Sequence, residues 1–168
     1  MSFPRDSCQS CTLRAGRAFC DLPRETMRAF DTIKCSSVYP KGSILFVEGR
    51  NPRGIYVVCS GKVRLSLCSD DGKNLTVRTA GPGDILGLSA TMRDEPYEVT
   101  AETLMPCQVV FVPRKEFLRF LRHHQDACLQ VIQLLSQYLH SAYDQYRALG
   151  KGRARRRPGP FVAAYAAN

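Results

Sequence analysis

The stretch between Ile33 and Pro113 is divided into short runs of β-branched and aromatic residues, and this division constrains the fold more than any other feature of the chain. Turn-forming residues separate the runs, for example PKG at 40–42 and SDDGKN at 69–74. Strands at intervals of about 8–12 residues predict an antiparallel sandwich or barrel. The predicted strands are 43–48, 55–60, 63–68, 75–79, 99–103 and 108–112.

Helical periodicity flanks this region on both sides. Pro23 suits a first helical turn, and Met27 and Phe30 lie three residues apart, so a short helix is predicted over 23–31. A second short amphipathic helix is predicted over 115–123, where phenylalanine and leucine side chains fall on one side. The predicted strands therefore lie between two helices.

The strongest periodic signal follows at 125–149, where apolar residues repeat at alternating spacings of four and three. This heptad pattern in a long helix indicates a surface that pairs with a second helix. We therefore expect a parallel homodimer, with an ordinary core helix of a monomer as the alternative, and we expect Gly150 to end the helix. The seam residues are Cys128, Ile132, Leu135, Leu139, Ala142, Tyr146 and Leu149.

These patterns divide the chain into four predicted parts. They are a cysteine-containing arm at 1–22, a β-roll with flanking helices at 23–123, a dimerisation helix at 124–150 and a basic tail at 151–168 that we expect to be disordered. The formal net charge of +9 is uneven, because the tail holds five Lys or Arg residues and no acid. The tail is either solvated or bound to an anionic partner, and the sequence leaves both alternatives open.

The chain shows neither a signal peptide nor an apolar run of the roughly 18 residues that a membrane span needs. We therefore expect a cytoplasmic protein without a membrane partner, in a compartment where thiols stay reduced. Its eight cysteines are then buried apolar residues, metal ligands or reactive thiols. We expect four of them to lie in the core: Cys35, Cys59, Cys68 and Cys128.

Three segments carry a resemblance to a known family: PKGSILFVEG at 40–49, GIYVVCSGKVRLSL at 54–67 and AGPGDILGL at 80–88. With the long helix that follows, they resemble the Crp/Fnr family of bacterial transcription regulators. The resemblance implies a mainly β fold with α-helices. This fold is an antiparallel double-stranded β-helix, the jelly roll of cyclic-nucleotide-binding domains, followed by a hinge helix and a dimerisation helix. It also implies a sensory protein that is not an enzyme.

The same resemblance implies where an effector would bind. Family members that bind cyclic AMP use a Gly-Glu-Leu stretch and, further on, an Arg followed by Ser/Thr-Ala. Here Leu88 stands at the Glu position, and Val99 and Glu98 stand where the Arg is expected. A carboxylate would repel a phosphate, so a cyclic nucleotide is disfavoured and another small effector is the alternative. The implied pocket residues are Gly87, Leu88, Ser89, Ala90, Thr100 and Ala101.

The oxygen-sensing branch of the family, Fnr, holds an iron–sulfur cluster on three N-terminal cysteines and one from a late strand of the roll. The resemblance implies Cys8, Cys11, Cys20 and Cys107 as ligands of a [4Fe-4S] cluster, because thiolates are soft, charged donors. The gap of eight residues before the third cysteine is longer than in Fnr. The alternatives are a zinc site, redox-reactive thiols beside basic residues, or no metal, with Cys107 a small buried residue.

Regulators of this family continue into a winged helix-turn-helix that binds DNA, whereas 18 residues follow the long helix here. We therefore expect a sensory domain truncated before the DNA-binding domain, and we do not expect direct operator binding. Its output would be dimerisation, either with itself or in a mixed dimer with a full-length family member. The expected signal is oxygen or redox state. A cupin-type metalloenzyme is disfavoured, because cupins need a histidine cluster inside the barrel and no histidine precedes His123.

Overall fold

The computed structural model describes residues 20–69 and 72–150. Within these ranges the chain forms eight β-strands and four helices, and all eight strands lie between the first and third helices. In chain order the elements are α1 (Arg24–Ile33), β1 (Cys35–Tyr39), β2 (Ile44–Phe46), β3 (Gly54–Ser60), β4 (Val63–Cys68), β5 (Asn74–Ala80), β6 (Ile85–Leu86), α2 (Leu88–Arg93), β7 (Thr100–Thr103), β8 (Cys107–Pro113), α3 (Arg114–His123) and α4 (Gln125–Gly150).

The strands form two four-stranded sheets, in which every pairing is antiparallel. One sheet has the order β1-β8-β3-β6 and the other β2-β7-β4-β5. Apart from the hairpin of β4 and β5, neighbours in each sheet come from distant parts of the chain, as in the pairing of Val57 with both Ile85 and Val110. This arrangement confirms the predicted antiparallel jelly roll.

The interior of the roll is filled by side chains from both sheets and from α2. Tyr56 and Val58 of β3 belong to this cluster. Ile55 and Val57, which alternate with them along the strand, are also buried. Alternate residues of a strand point to opposite faces, and helix α3 contacts β3 from outside the roll. The IYVVC run is continuously apolar because both faces of β3 are covered.

Helices α1 and α3 pack on each other. Phe30 and Phe120 meet with their ring centroids 5.6 Å apart, and Met27 and Phe117 are almost fully buried. The observed bounds extend the two predicted helices by one or two residues at an end. No helix within the described ranges is long and apolar enough to cross a membrane.

Three elements were not predicted: β1, β6 and α2. Strand β1, CSSVY, leaves four of its five residues exposed, so its sequence lacks the alternation that marks a strand. Strand β6 has only two residues, and α2 only six. The prediction that four cysteines lie in the core is wrong, because Cys35 and Cys68 are exposed and Cys59 and Cys128 are half-buried.

Helix α4 runs without a break from Gln125 to Gly150, in agreement with the predicted long helix. Its first part belongs to a compact unit that extends to Ile132, and a second unit begins at Gln133. In the first unit Ala127 and Val131 are buried, whereas Ile132 is 53% exposed. In the second unit Leu139 and Tyr146 are 54% and 79% exposed.

Candidate effector site in the β-roll

Residues 87–100 form the segment in which the sequence predicts an effector pocket. Gly87, with φ of +71°, precedes α2, and Asp94, with φ of +59°, follows it. A Cβ at position 87 would lie 2.7 Å from Cε1 of Tyr97, so only glycine fits there. The segment therefore turns sharply at both ends of α2 and passes directly over the ring of Tyr97.

Tyr97 fastens this segment to the roll. Its ring is 3% exposed and stacks on Phe46 with a centroid separation of 4.1 Å. Its hydroxyl donates to the carbonyl of Gly54 at 2.8 Å and accepts from the N–H groups of Arg53 and Gly54 at 3.1 and 3.3 Å. Burial raises the pKa of this phenol above its ordinary value of 10.0, so Tyr97 stays protonated and able to donate.

The backbone of Tyr97 adds two further hydrogen bonds. Its N–H donates to the carbonyl of Arg50 at 2.9 Å, and its carbonyl accepts from the N–H of Gly49 at 2.9 Å. Main chain and side chain together hold the loop at 49–54 against the residues that follow α2. Sequence analysis missed Tyr97, because a lone tyrosine between Pro96 and Glu98 in an expected loop gives no periodic signal.

The predicted pocket residues mostly serve packing. Leu88, Ala90 and Ala101 are almost fully buried, whereas Gly87, Ser89 and Thr100 are half-buried. These six positions do not line the cavity described below. Thr100 uses its hydroxyl oxygen to accept from the N–H of Glu48 at 3.0 Å, so it is committed to the fold.

The charges around this segment do not fit a cyclic phosphate. Within 83–101 the single arginine is Arg93, which is largely exposed and pairs with Glu95 at 2.7 Å. On the neighbouring sheet Arg64 is held by Glu102, and Arg78 pairs with Asp84 at 3.3 Å. A phosphate needs a guanidinium or several N–H groups that are not already committed to carboxylates. This observation agrees with the expectation that a cyclic nucleotide is disfavoured.

A cavity of about 530 Å³ opens beside the loop at 49–54, and we call it the loop cavity. Its walls are apolar and aromatic, with two arginines and an asparagine among the loop residues. Burial, followed by the neighbouring phenol of Tyr97, raises the pKa of Tyr56 from 10.0 to about 12. The lining residues are Leu45, Phe46, Val47, Gly49, Arg50, Asn51, Arg53, Tyr56 and Tyr97. Sequence analysis treated GRNPRG at 49–54 as a turn and did not predict this cavity.

Arg114, the first residue of α3, connects this loop to α2. Its backbone N–H donates to the carbonyl of Arg53 at 2.9 Å. Its side-chain Nε donates to the carbonyl of Thr91 at 3.0 Å and lies 3.2 Å from a carboxylate oxygen of Asp94. One residue therefore joins the loop cavity, the end of α2 and the start of the hinge helix.

Cys107, the predicted fourth cluster ligand, is fully buried within the roll. Its thiol lies 3.3 Å from the carbonyl oxygen of Lys62 and 3.1 Å from that of Met105, as a donor to both. Burial raises the pKa of this thiol. The environment fits a neutral thiol, as the alternative of a small buried residue expects, and the role of Cys107 as a cluster ligand stays a prediction.

The other three predicted ligands belong to the N-terminal arm. Cys20 is half-buried, while Cys8 and Cys11 lie outside the described residues. Within the part of the chain that the structure describes, no three His, Cys, Asp or Glu side chains form a group able to hold a metal. Because Cys8 and Cys11 lie outside the described ranges, the four-cysteine site stays a prediction.

The fold and the segment around α2 define a class of protein: a β-roll sensor domain of the cyclic-nucleotide-binding type. The family model described as Cyclic nucleotide-binding domain matches residues 37–124, which is more than half of the chain, and the chain belongs to this family. Its relatives include transcription regulators of the Crp/Fnr type, as the sequence resemblance implied.

Two curated relatives and one solved structure illustrate the similarity. Transcriptional activatory protein AadR of Rhodopseudomonas palustris is 25% identical, over 98% of this chain and 70% of its own length. The Anaerobic regulatory protein of Bacillus subtilis is 24% identical, over 71% of this chain and 50% of its own length. The crystal structure of Thermus thermophilus catabolite activator protein has a TM-score of 0.71, at 23% identity over 80% of this chain and 63% of that chain. The chain thus spans from about half to 70% of the length of such relatives.

Proposed function

We propose that this chain is a non-catalytic, cytoplasmic sensory domain of a Crp/Fnr-type regulator, and that its output is the association of helix α4 with a second α4. The observation that carries the proposal is the exposed heptad seam. Ile132 and Leu139 are each more than half exposed, and Tyr146 is 79% exposed. Apolar side chains repeating at heptad spacing on a helix surface are typical of a helix that pairs.

Sedimentation of the full chain over a concentration series tests the association. We expect a monomer–dimer equilibrium, and a monomer at every concentration up to the solubility limit would contradict the proposal. The predicted parallel orientation has a separate test at Cys128, the first seam position. In a parallel, in-register pair the two Cys128 side chains face each other, so mild oxidation should link them. Peptide mapping distinguishes the Cys128–Cys128 disulfide from any disulfides that the other cysteines form. Cys128→Ser is the control, because it cannot form this disulfide.

We further propose that the signal is oxygen or redox state and that it acts through the arm cysteines Cys8, Cys11 and Cys20. Three cysteines within fourteen residues, two of them in a C-x-x-C, support this proposal. A relative named Anaerobic regulatory protein also supports it. A [4Fe-4S] cluster would need a fourth ligand, for which the resemblance implies Cys107, a residue buried within the roll.

Anaerobic purification, followed by a visible absorption spectrum and assays for iron, sulfide and zinc, tests the redox proposal. Cys8→Ser and Cys11→Ser should abolish any bound metal and any response of the dimer equilibrium to oxidation. Cys107→Ser tests the fourth ligand: it should abolish an iron–sulfur cluster, and it should leave a metal that the arm cysteines hold alone unchanged. A metal-free protein whose association is the same in dithiothreitol and in air would contradict the redox proposal and leave the dimerisation proposal intact.

A mixed dimer with a full-length family member is the second output that the seam favours, because any partner with a matching heptad surface could occupy it. In such a dimer the two chains differ, so the match to a two-fold symmetric operator, and with it the partner's DNA binding, would weaken. Co-expression with a full-length relative from the same genome, with an affinity tag on one chain, tests this. Recovery of homodimers alone would contradict it.

A further inference from the structure

The described arginines from β1 to the first residue of the hinge helix fall into two groups. Arg64, Arg78, Arg93 and Arg114 each pair with a carboxylate, as described above. Arg50 and Arg53, which line the loop cavity, are exposed and have no carboxylate partner among the described residues.

The nearest acid in the sequence does not neutralise this pair. Glu48 points its carboxylate at the backbone N–H of Cys68, from which it accepts at 2.8 Å. The loop between β2 and β3 therefore presents two guanidinium groups beside the cavity, with no carboxylate paired to them among the residues that the structure describes. Guanidinium groups bind carboxylate and phosphate oxygens through paired, charge-assisted hydrogen bonds.

The wall opposite these charges is aromatic. Phe46 and Tyr97 form a stacked pair, and the ring of Tyr56 lies 5.4 Å from that of Phe46. The hydroxyl of Tyr97 is saturated by the backbone of the loop, whereas that of Tyr56 has no hydrogen-bond partner within the described ranges. A cavity with apolar walls and a few polar groups on one side is the usual form of a small-molecule site.

We propose that the loop cavity binds a small organic oxyanion, a carboxylate or phosphate ester with a planar apolar body. Its anionic group pairs with Arg50 and Arg53, its body lies against Phe46 and Tyr97, and the Tyr56 hydroxyl donates to it. The volume of about 530 Å³ falls within the range of roughly 300–1,000 Å³ that such sites occupy. This site differs from the pocket predicted at residues 87–101, whose candidate positions do not line the cavity.

The cavity has a direct connection to the hinge helix. The carbonyl of Arg53 accepts from the N–H of Arg114, at the first residue of α3. A ligand that pairs with the Arg53 guanidinium holds the loop that carries this carbonyl. Occupancy of the cavity is therefore coupled to the start of α3 through one backbone hydrogen bond.

Thermal unfolding of the full chain with three matched probes tests the site. The probes are phenylacetate, phenyl phosphate and the uncharged phenylacetamide, each up to 10 mM. We expect at least one of the two anions to raise the melting temperature by several degrees more than the amide does. The anion that binds more tightly then shows whether the site prefers a carboxylate or a phosphate.

Single variants locate the binding. Arg50→Gln and Arg53→Gln should each weaken binding of the preferred anion at least tenfold, while Arg28→Gln, at an exposed arginine of α1, should leave it unchanged. Tyr56→Phe should weaken it less, by about threefold. Far-UV circular dichroism checks that each variant is folded.

Three outcomes would overturn the proposal: equal effects of anion and amide, equal affinity in Arg50→Gln and Arg28→Gln, or no response to either anion at 10 mM. The dimer equilibrium is measured separately by sedimentation. A failure of the proposed association would therefore leave the result for this site intact, and the reverse also holds.

Discussion

The β-roll and helix α4 contain similar large apolar side chains in very different environments. In the roll, Tyr56 and Tyr97 are 8% and 3% exposed. In α4, Leu139 and Tyr146 are 54% and 79% exposed. The roll also satisfies the polar end of Tyr97 internally, through three hydrogen bonds to the backbone of the loop at 49–54.

This contrast separates two roles for apolar residues in one chain. Those of the roll stabilise the monomer, because folding alone removes them from water. Those of the seam stay in water until a second helix covers them, so their contribution depends on protein concentration. Substitutions in the roll should therefore change the free energy of unfolding, and substitutions in the seam should change the dimer equilibrium.

The largest effect is expected from Tyr97→Ala. This change removes the ring stacked on Phe46 and leaves the carbonyl and N–H of Gly54 without their partner. Loss of a buried aromatic side chain destabilises by about 3–5 kcal/mol. Urea unfolding followed by circular dichroism measures the change.

Tyr97→Phe is the matched control for the ring. It keeps the stacked ring and removes the hydroxyl alone, so we expect a loss of about 1–3 kcal/mol from the unsatisfied backbone groups. If Tyr97→Ala and Tyr97→Phe were equally destabilised, the ring would contribute little to stability. The prediction that the buried apolar side chains of the roll stabilise the monomer would then be wrong.

The next effect is expected at the seam. Leu139→Asp places a carboxylate on each facing helix, and like charges repel, so the dimer dissociation constant should rise at least hundredfold, or about 2.7 kcal/mol. The free energy of unfolding of the monomer should change by less than about 0.5 kcal/mol, because Leu139 is already 54% exposed. Sedimentation gives the first quantity and urea unfolding at low concentration the second.

The control for the seam is Gln137→Asp. Gln137 is exposed and lies two residues away, about 200° around the helix, so the same charge is added off the seam. Equal dissociation of Gln137→Asp and Leu139→Asp dimers would mean that added charge, and not the seam, controls association.

A pH dependence is expected from the roll and not from the seam. Burial raises the pKa of Tyr56 from 10.0 to about 12, so between these values the folded state keeps a proton that the unfolded state releases. Stability is therefore fully present below pH 10 and falls as the pH rises through 12, by about 2.7 kcal/mol in total. Urea unfolding between pH 8.5 and 11.5 measures this slope.

Tyr56→Phe isolates that contribution. The variant lacks the ionisable hydroxyl, so its stability should fall less steeply above pH 10, although Tyr97 and Cys107 also have raised pKa values. Identical slopes for the two proteins would show that Tyr56 ionises in the folded state as easily as in the unfolded state.

The sequence was sufficient to predict the roll and the long helix, because both have strong periodicity. Strand β4 and helix α4 show it clearly, with alternation in the first and a heptad in the second. Strand β1 could not be predicted, since CSSVY lies at a sheet edge with four exposed residues and so carries no buried face.

The site was less predictable than the fold. The loop cavity depends on the contacts of Tyr97 with Phe46 and Gly54, which lie about 40 to 50 residues before it in the sequence. No local sequence pattern indicates such long-range contacts. The burial of Cys107 likewise follows from its place under Gly61, where a Cβ would lie 2.4 Å from the sulfur. A resemblance assigns a role to a position, but packing decides whether the side chain is accessible.

The smallest effect is expected from Arg114→Gln. Asp94 is 65% exposed, so solvent screens that ion pair, and the main loss is the hydrogen bond from Nε to the carbonyl of Thr91. We expect a loss of about 1 kcal/mol. Arg119→Gln, which breaks an exposed pair with Glu116 on the same helix, should cost less than about 0.5 kcal/mol. If both variants lost the same stability, Arg114 would act as an ordinary surface charge. Its connection between α2 and the hinge helix would then add nothing to the free energy of unfolding.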